Sequence, residues 1–290
     1  MSNKLILGTA QFGLDYGINN STGKIQKSEV FEILKYAFQN GIELLDTAPV
    51  YGDAHKIIGE FHKEHEQIRY KVITKIPADY PTDKLEELVD VFLLELNIDC
   101  IEVLHFHSIK DFISCDKVKI SEVFKTLKKS RKVKSFGVSI YENSEADLLS
   151  RELIDVVQLP FNLLDNSNQR GKLIEQLKQK KYEIHTRSVF LQGLFFKNSR
   201  EIKSLEIKEA IVKLQGICKL YSCDIAELAL HYCLIQKEID HLLIGVDGTG
   251  QLKNNISIAS DLLAEGFVEQ VDNIVISDIS QINPSKWAIG

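Results

Sequence analysis

Eight short apolar runs recur along the chain at near-regular spacing: Leu5–Gly8, Ile42–Asp46, Lys71–Lys75, Ile101–His107, Val133–Ser139, Ile154–Leu159, Tyr182–Ser188 and Ile239–Gly245. Near-continuous apolarity, without the alternation of a half-solvated strand, marks strands buried on both faces, as in a parallel sheet. Between the runs the period changes. In Lys84–Leu96 the apolar residues Leu85, Leu88, Val89, Phe92 and Leu96 fall three and four apart, the stripe of an amphipathic helix. Ser121–Lys129, Asn168–Lys180 and Asp224–Ile235 read the same way, and Thr82, Ser144 and Asp224 stand where N-caps belong. Two helices, Glu206–Leu220 and Asp224–Ile235, follow the seventh run behind a polar loop from Lys197 to Ser204. This alternation over 290 residues, with no Pro/Gly/Ser-rich linker, predicts one α/β domain over residues 1–290. The expected fold is a single (β/α)8 TIM barrel, which typically needs about 250 residues, with an extra helix between strands 7 and 8. An open doubly wound sheet is the competitor, but Gly245, Gly248 and Gly250 have the wrong order for its G-x-G-x-x-G turn.

Charge and cysteine usage exclude several function classes. A net charge of −6 provides no basic footprint for nucleic acid and no polybasic membrane patch. Five cysteines, an odd number without C-x-x-C spacing, argue against zinc or a disulfide framework, so no metal is expected. The opening MSNKLILGTAQFG has too short an apolar stretch for a signal peptide, and no run approaches the length of a membrane span. The expected location is cytoplasmic.

In a parallel barrel the chemistry sits at the strand C-termini and the loops after them. Asp46, Lys75 and His107 close the second, third and fourth runs, and Tyr51 lies in the loop after the second, so consecutive strands bring all four to one rim. A free phenol has a pKa near 10, too high for proton transfer at neutrality. An ammonium beside it, Lys75, favours the phenolate, and Asp46 holds that ammonium. His107 is placed to hydrogen-bond a substrate oxygen. Singly, each residue is more often a cap, a salt-bridge partner or a solvated side chain; together they point to proton transfer to a carbonyl oxygen.

At these residues the chain resembles the aldo-keto reductase superfamily. ELLDTAPVYGDAHKIIGE is similar to that family's segment around its catalytic Asp and Tyr, VITK to the strand ending in its Lys, and LNIDCIEVLHFHS to the segment ending in its His. The resemblance implies Asp46, Tyr51, Lys75 and His107 as catalytic residues, and leaves His105 as a packed imidazole. FGVSI and VVQLPFN resemble the segments that hold the nicotinamide carboxamide, which implies Ser139 and Gln158; the family's Asn is Ile140 here. RSVFLQGL resembles the loop that wraps the pyrophosphate, implying Ser188, with Arg187 where relatives stack an aromatic on the nicotinamide ring. LLIGVDGTGQLKNNI resembles the adenosine-binding segment, implying Gly245, Asp247, Gln251 and Asn255.

The family's default cofactor is NADPH. Relatives that prefer it often carry Arg or Lys where this chain has Asp247, a carboxylate that repels a 2′-phosphate and suits a free ribose hydroxyl; NADH is therefore the alternative, with Lys253 as a partial offset. Two departures stand out: the first strand begins by Lys4, so the family's N-terminal β-hairpin plug is expected to be missing, and the tail Ser277–Gly290 is short. Trp287 either lines an open pocket or anchors that tail.

The resemblance implies an NAD(P)H-dependent oxidoreductase reducing an aldehyde or ketone to an alcohol, with Tyr51 as proton donor. FNLLD and RSVFLQGL are similar to segments of bacterial relatives linked to surface-sugar pathways, which suggests a sugar-derived carbonyl as the small-molecule partner. The alternatives are a nicotinamide-nucleotide-binding sensor or scaffold on the same barrel, and a cofactor-free isomerase or phosphate-binding barrel. The sensor has no need of Lys75 beside Tyr51, and the isomerase leaves Gly245–Asn255 without a role.

Overall fold

A computed structural model describes residues 4–17, 23–198, 200–261, 263 and 265–287. Eight parallel strands close into a barrel in chain order: β1 (Leu5–Gly8), β2 (Leu44–Asp46), β3 (Lys71–Ile76), β4 (Ile101–Phe106), β5 (Val133–Ser139), β6 (Val156–Pro160), β7 (Glu183–Arg187) and β8 (His241–Ile244), with β8 pairing back onto β1. The helices are α1 (Ala10–Gly13), α2 (Lys27–Gln39), α3 (Ala54–Glu64), α4 (Leu85–Leu96), α5 (Ile109–Ser114), α6 (Lys117–Lys129), α7 (Ser167–Gln179), α8 (Leu205–Tyr221), α9 (Ile225–Leu234), α10 (Thr249–Ser260) and α11 (Val268–Asp272). The expected barrel is therefore present, with α8 and α9 both between β7 and β8.

Two apolar clusters follow from strand geometry. Side chains alternate between faces, and the outward set packs under the helices as one large core; α3 contributes Ala54, Ile57, Ile58 and Phe61, one helical stripe. The inward set is smaller: Ile6, Ile73, Val103 and Val156, with Leu44 and Leu243 against them. Two residues further along, the same inward face reaches the C-terminal rim as Gly8, Asp46, Lys75, Gln158 and Gly245, while on β4 the residue after Val103 on that face is the buried His105. On β1, β2, β3, β6 and β8 this parity sets apolar side chains below the rim residues, and so positions the site.

Several expectations about local structure are corrected. Thr82 caps no helix: it lies inside a 3-10 turn, Thr82–Lys84, closed by Lys84 N on the Pro81 carbonyl oxygen (3.1 Å), and α4 starts only at Leu85. Ser144 likewise falls inside a 3-10 turn, Asn143–Leu148, which alone connects β5 to β6. There the Glu145 carboxylate accepts from Tyr141 N (2.7 Å) and Glu142 N (3.0 Å), and the chain leaves in extended conformation before a helix forms. The helix expected over Ser121–Lys129 begins earlier, at Lys117, because Asp116 accepts from Val118 N and Lys119 N. His107, Ser188 and Gly245 lie just past their strands rather than within them. Asp224 does cap α9, in a reciprocal pair with Glu227 (2.8 and 2.7 Å).

The plug expectation concerns residues ahead of Lys4, which lie outside the described ones. Trp287 donates its indole N–H to the Gln281 carbonyl oxygen (3.0 Å) and packs on the core. Among the described residues no helix is long and apolar enough to cross a membrane. The five cysteines are free thiols.

Candidate active site

Asp46 ends β2 and Lys75 is the penultimate residue of the adjacent β3; both are almost wholly buried and meet at 2.5 Å. Lys75 Nζ also donates to the Thr47 carbonyl oxygen (3.0 Å) and stands 5.2 Å from the centre of the Tyr51 ring. Burial alone would lower the lysine pKa, but the Asp46 carboxylate, and next Tyr51, outweigh it and raise the value, so Lys75 is an ammonium. The second Asp46 oxygen accepts from Gln158 Nε2 (2.9 Å) across the barrel. The carboxylate is thus fixed from two sides.

Tyr51 comes from a loop, and its place is set by glycine. A Cβ on Gly13 would lie 1.7 Å from the Tyr51 carbonyl oxygen and 2.8 Å from Asp53 N, so only glycine lets α1 and this loop touch. Gly52 follows in the left-handed region (φ +54°) and turns the chain into α3.

His107 is half-buried one residue past β4. Burial, and next the Lys75 charge, lower its pKa against the opposing pull of Asp111 and Asp46, so the imidazole is neutral at pH 7 and presents one N–H. The chain direction there is held by Ser108: its Oγ accepts from Asp111 N (3.3 Å), while the Asp111 carboxylate accepts from Ser108 N (3.1 Å). His105 is fully buried inside the barrel over Gly137, with no hydrogen-bond partner at either ring nitrogen among the described residues.

The residues expected at a cofactor continue around the same cavity, whose volume is about 600 Å³ and which is lined by the four residues above together with Ser139, Gln158, Arg187, Ser188, Gly245, Asp247, Gln251 and Asn255. Arg187 lies 4.0 Å over the Tyr141 ring and reaches the Ile140 carbonyl oxygen (3.3 Å) and Ser139 Oγ (3.5 Å). Ser188 starts a strained turn: Ser188, Leu191 and Gln192 all adopt positive φ, followed by Gly193. At the far end Asp247 and Gln251 bond each other, Asp247 N to Gln251 Oε1 (2.9 Å) and Gln251 Nε2 to Asp247 Oδ2 (3.2 Å). Gly245 lacks the Cβ that would press on the Gln11 amide at 2.8 Å.

Sequence reasoning missed several residues of this site. Tyr16 and Gln192 join across the cavity (2.8 Å), linking the loops after β1 and β7. His55 bonds Thr74 Oγ1 (2.9 Å) and so ties α3 to the strand that carries Lys75; its place in the quoted DAHKIIGE segment was the available signal. Glu29, on α2, accepts from Thr249 N (2.8 Å) and Thr249 Oγ1 (2.6 Å), putting a carboxylate at the N-terminus of α10, where an anion would otherwise be favoured.

The cavity suits a nicotinamide dinucleotide. It is continuous from the Asp46–Lys75 pair to the start of α10, and amide and hydroxyl groups line it at one end and Gln251 and Asn255 at the other. Known proteins resemble the chain in sequence and in fold. A model described as "Aldo/keto reductase family" matches residues 4–276. L-galactose dehydrogenase of Arabidopsis thaliana is 25% identical over 92% of this chain and 89% of its own length. NADH-specific methylglyoxal reductase of Escherichia coli is 22% identical over 81% and 84%. D-arabinose 1-dehydrogenase of Saccharomyces cerevisiae is 24% identical over 79% and 74%. A solved Pseudomonas aeruginosa structure assigned to the aldo-keto reductases superposes with a TM-score of 0.66, at 19% identity over 88% of this chain and 89% of that one, a likeness of fold.

Proposed function

Because the chain belongs to the Aldo/keto reductase family, we propose that it reduces a small aldehyde or ketone to an alcohol, with Tyr51 as the proton donor. The observation that carries this reading is the Asp46–Lys75 pair beside Tyr51 in the cavity that also reaches Gln251 and Asn255. A nicotinamide dinucleotide bound along it supplies the hydride. Ser139 and Gln158 hold its carboxamide end, Arg187 and Ser188 face its middle, and Gly245, Gln251 and Asn255 hold the adenosine end. Tyr51 Oη keeps the proton that the substrate oxygen receives. Lys75, kept charged by Asp46, stabilises the phenolate left behind, and neutral His107 donates to the same oxygen and orients it.

For the cofactor we favour NADH. Glu29 and Asp247 put two carboxylates at the adenosine end, repulsive to a 2′-phosphate, and one of the relatives is named NADH-specific. For the substrate we favour a sugar-derived carbonyl, since two relatives are named for L-galactose and D-arabinose, and Arg187 suits an anionic substituent on it.

The test is Tyr51→Phe. The variant should bind NADH as the parent does in a fluorescence titration and lose on the order of 100-fold or more in kcat across a panel of sugar aldehydes and ketones. Undiminished turnover would remove Tyr51 from the role of acid. Nucleotide binding with no turnover by the parent on any carbonyl would point to a sensor instead.

A further inference from the structure

A second group of chemistry-bearing side chains lies at the opposite mouth of the barrel. Glu183 and His185 are two residues apart on β7 and share its inward face, and His241 opens β8 in direct register with His185. Arg187, at the catalytic rim, is four residues beyond Glu183 but only two beyond His185, roughly 13 and 7 Å at the rise of a strand, and none of the three lines the catalytic cavity. The group is therefore separate from the candidate active site.

Each of the three offers a donor atom, and these lie within 4.8 Å of one another. His185 Nε2 is 2.8 Å from Glu183 Oε1, and His241 Nε2 is 3.8 Å from the same oxygen. Tetrahedral zinc with bonds of about 2.0–2.1 Å sets its donors about 3.3 Å apart. The two separations from the Glu183 oxygen bracket that value, and the two imidazole donors lie within 4.8 Å of each other. Lys134, the cation that acts on Glu183, is itself paired with Glu102 at 2.5 Å and mostly exposed.

We propose that Glu183, His185 and His241 bind a divalent transition metal, with zinc the best match. Two imidazoles and one carboxylate form a borderline donor set that suits Zn2+ or Co2+ over Mg2+ or Ca2+. Glu183 is 45% exposed and His241 23%, so water completes the coordination from the solvent side. The ion joins β7 to β8 at the end of the barrel that has no part in the chemistry.

Chelator-treated protein should take up one Zn2+ per chain in a calorimetric titration and bind Co2+ with the visible absorption of a four-coordinate ion. Bound zinc should raise the unfolding temperature, because it binds the folded chain in preference to the unfolded one. His241→Asn and Glu183→Gln should each weaken binding at least tenfold and leave carbonyl reduction intact. Absence of stoichiometric uptake at millimolar zinc would overturn the proposal, as would equal uptake by parent and both variants, which would locate the ion at the cysteines or other surface groups.

Discussion

Tyr51 stands in a loop, and a loop residue can act as an acid only if something holds its oxygen in place. Gly13 does so by absence, since its missing side chain lets the Tyr51 backbone rest on α1. Ala at position 13 forces backbone against backbone, which cannot be relieved by turning a side chain. Gly13→Ala should therefore cost about 1–3 kcal/mol of stability, as overpacking does, and lower kcat at least tenfold while NADH binding changes little. A variant with parental kcat would mean that Tyr51 is held by other contacts. Lys75 is a poorer target: removing it leaves Asp46 buried without its cation, at about 3–5 kcal/mol, so lost activity could not be told from lost fold. At this scale the sequence is readable where a residue stands at the C-terminal end of a strand, as Asp46 and Lys75 do. It is silent where a role depends on a distant partner: nothing local in the chain joins Tyr16 to Gln192, 176 positions away.

Elements were legible by their period and less so by their ends. The strands appear where apolar runs predict them, because burial on both faces leaves no alternation to misread. The missing α-helix between β5 and β6 was not foreseen: Glu145 accepts from Tyr141 N and Glu142 N just ahead of the turn, as at a helix start, but no longer apolar stripe follows to carry a helix on. The contact between α2 and α10 escaped for another reason: Glu29 reaches Thr249 across 220 residues. That contact bears on cofactor choice. Glu29 fills the positive end of α10, and its pKa is lowered by the two Thr249 bonds, so it stays charged. Glu29→Gln should improve NADPH affinity about fivefold relative to NADH, the worth of roughly 1 kcal/mol at a partly exposed helix end. An unchanged NADPH/NADH affinity ratio, measured by fluorescence titration of parent and variant, would acquit Glu29 and leave Asp247 as the discriminating carboxylate.

Packing the strands and their helices together buries imidazoles that the unfolded chain leaves hydrated, and this sets how the whole molecule responds to acid. An unfolded imidazole takes up its proton near pH 6.5. In the folded chain His55, His62, His105, His107 and His241, five of the eight histidines, are held below that value, by burial first in every case. Above pH 6.5 neither state binds the protons and stability is unaffected. Between the unfolded and folded values the unfolded chain binds more, so stability falls as the pH falls. Each imidazole contributes up to about 1.4 kcal/mol per pH unit. Carboxylates with lowered pKa, such as Glu29 and Glu183, act in the same direction but only below about 4.5, where their unfolded values lie. The loss of stability from pH 6.5 to 5 therefore belongs to the histidines, while Asp165, whose carboxyl burial pushes up, acts in the opposite direction. Urea unfolding in the presence of a chelator should give a constant free energy from pH 8 to 7 and a steepening loss from pH 6.5 downward. A flat profile to pH 5 would mean that the protonated rings find partners inside the barrel, and the buried His105, with both nitrogens unpaired among the described residues, would be the first to re-examine.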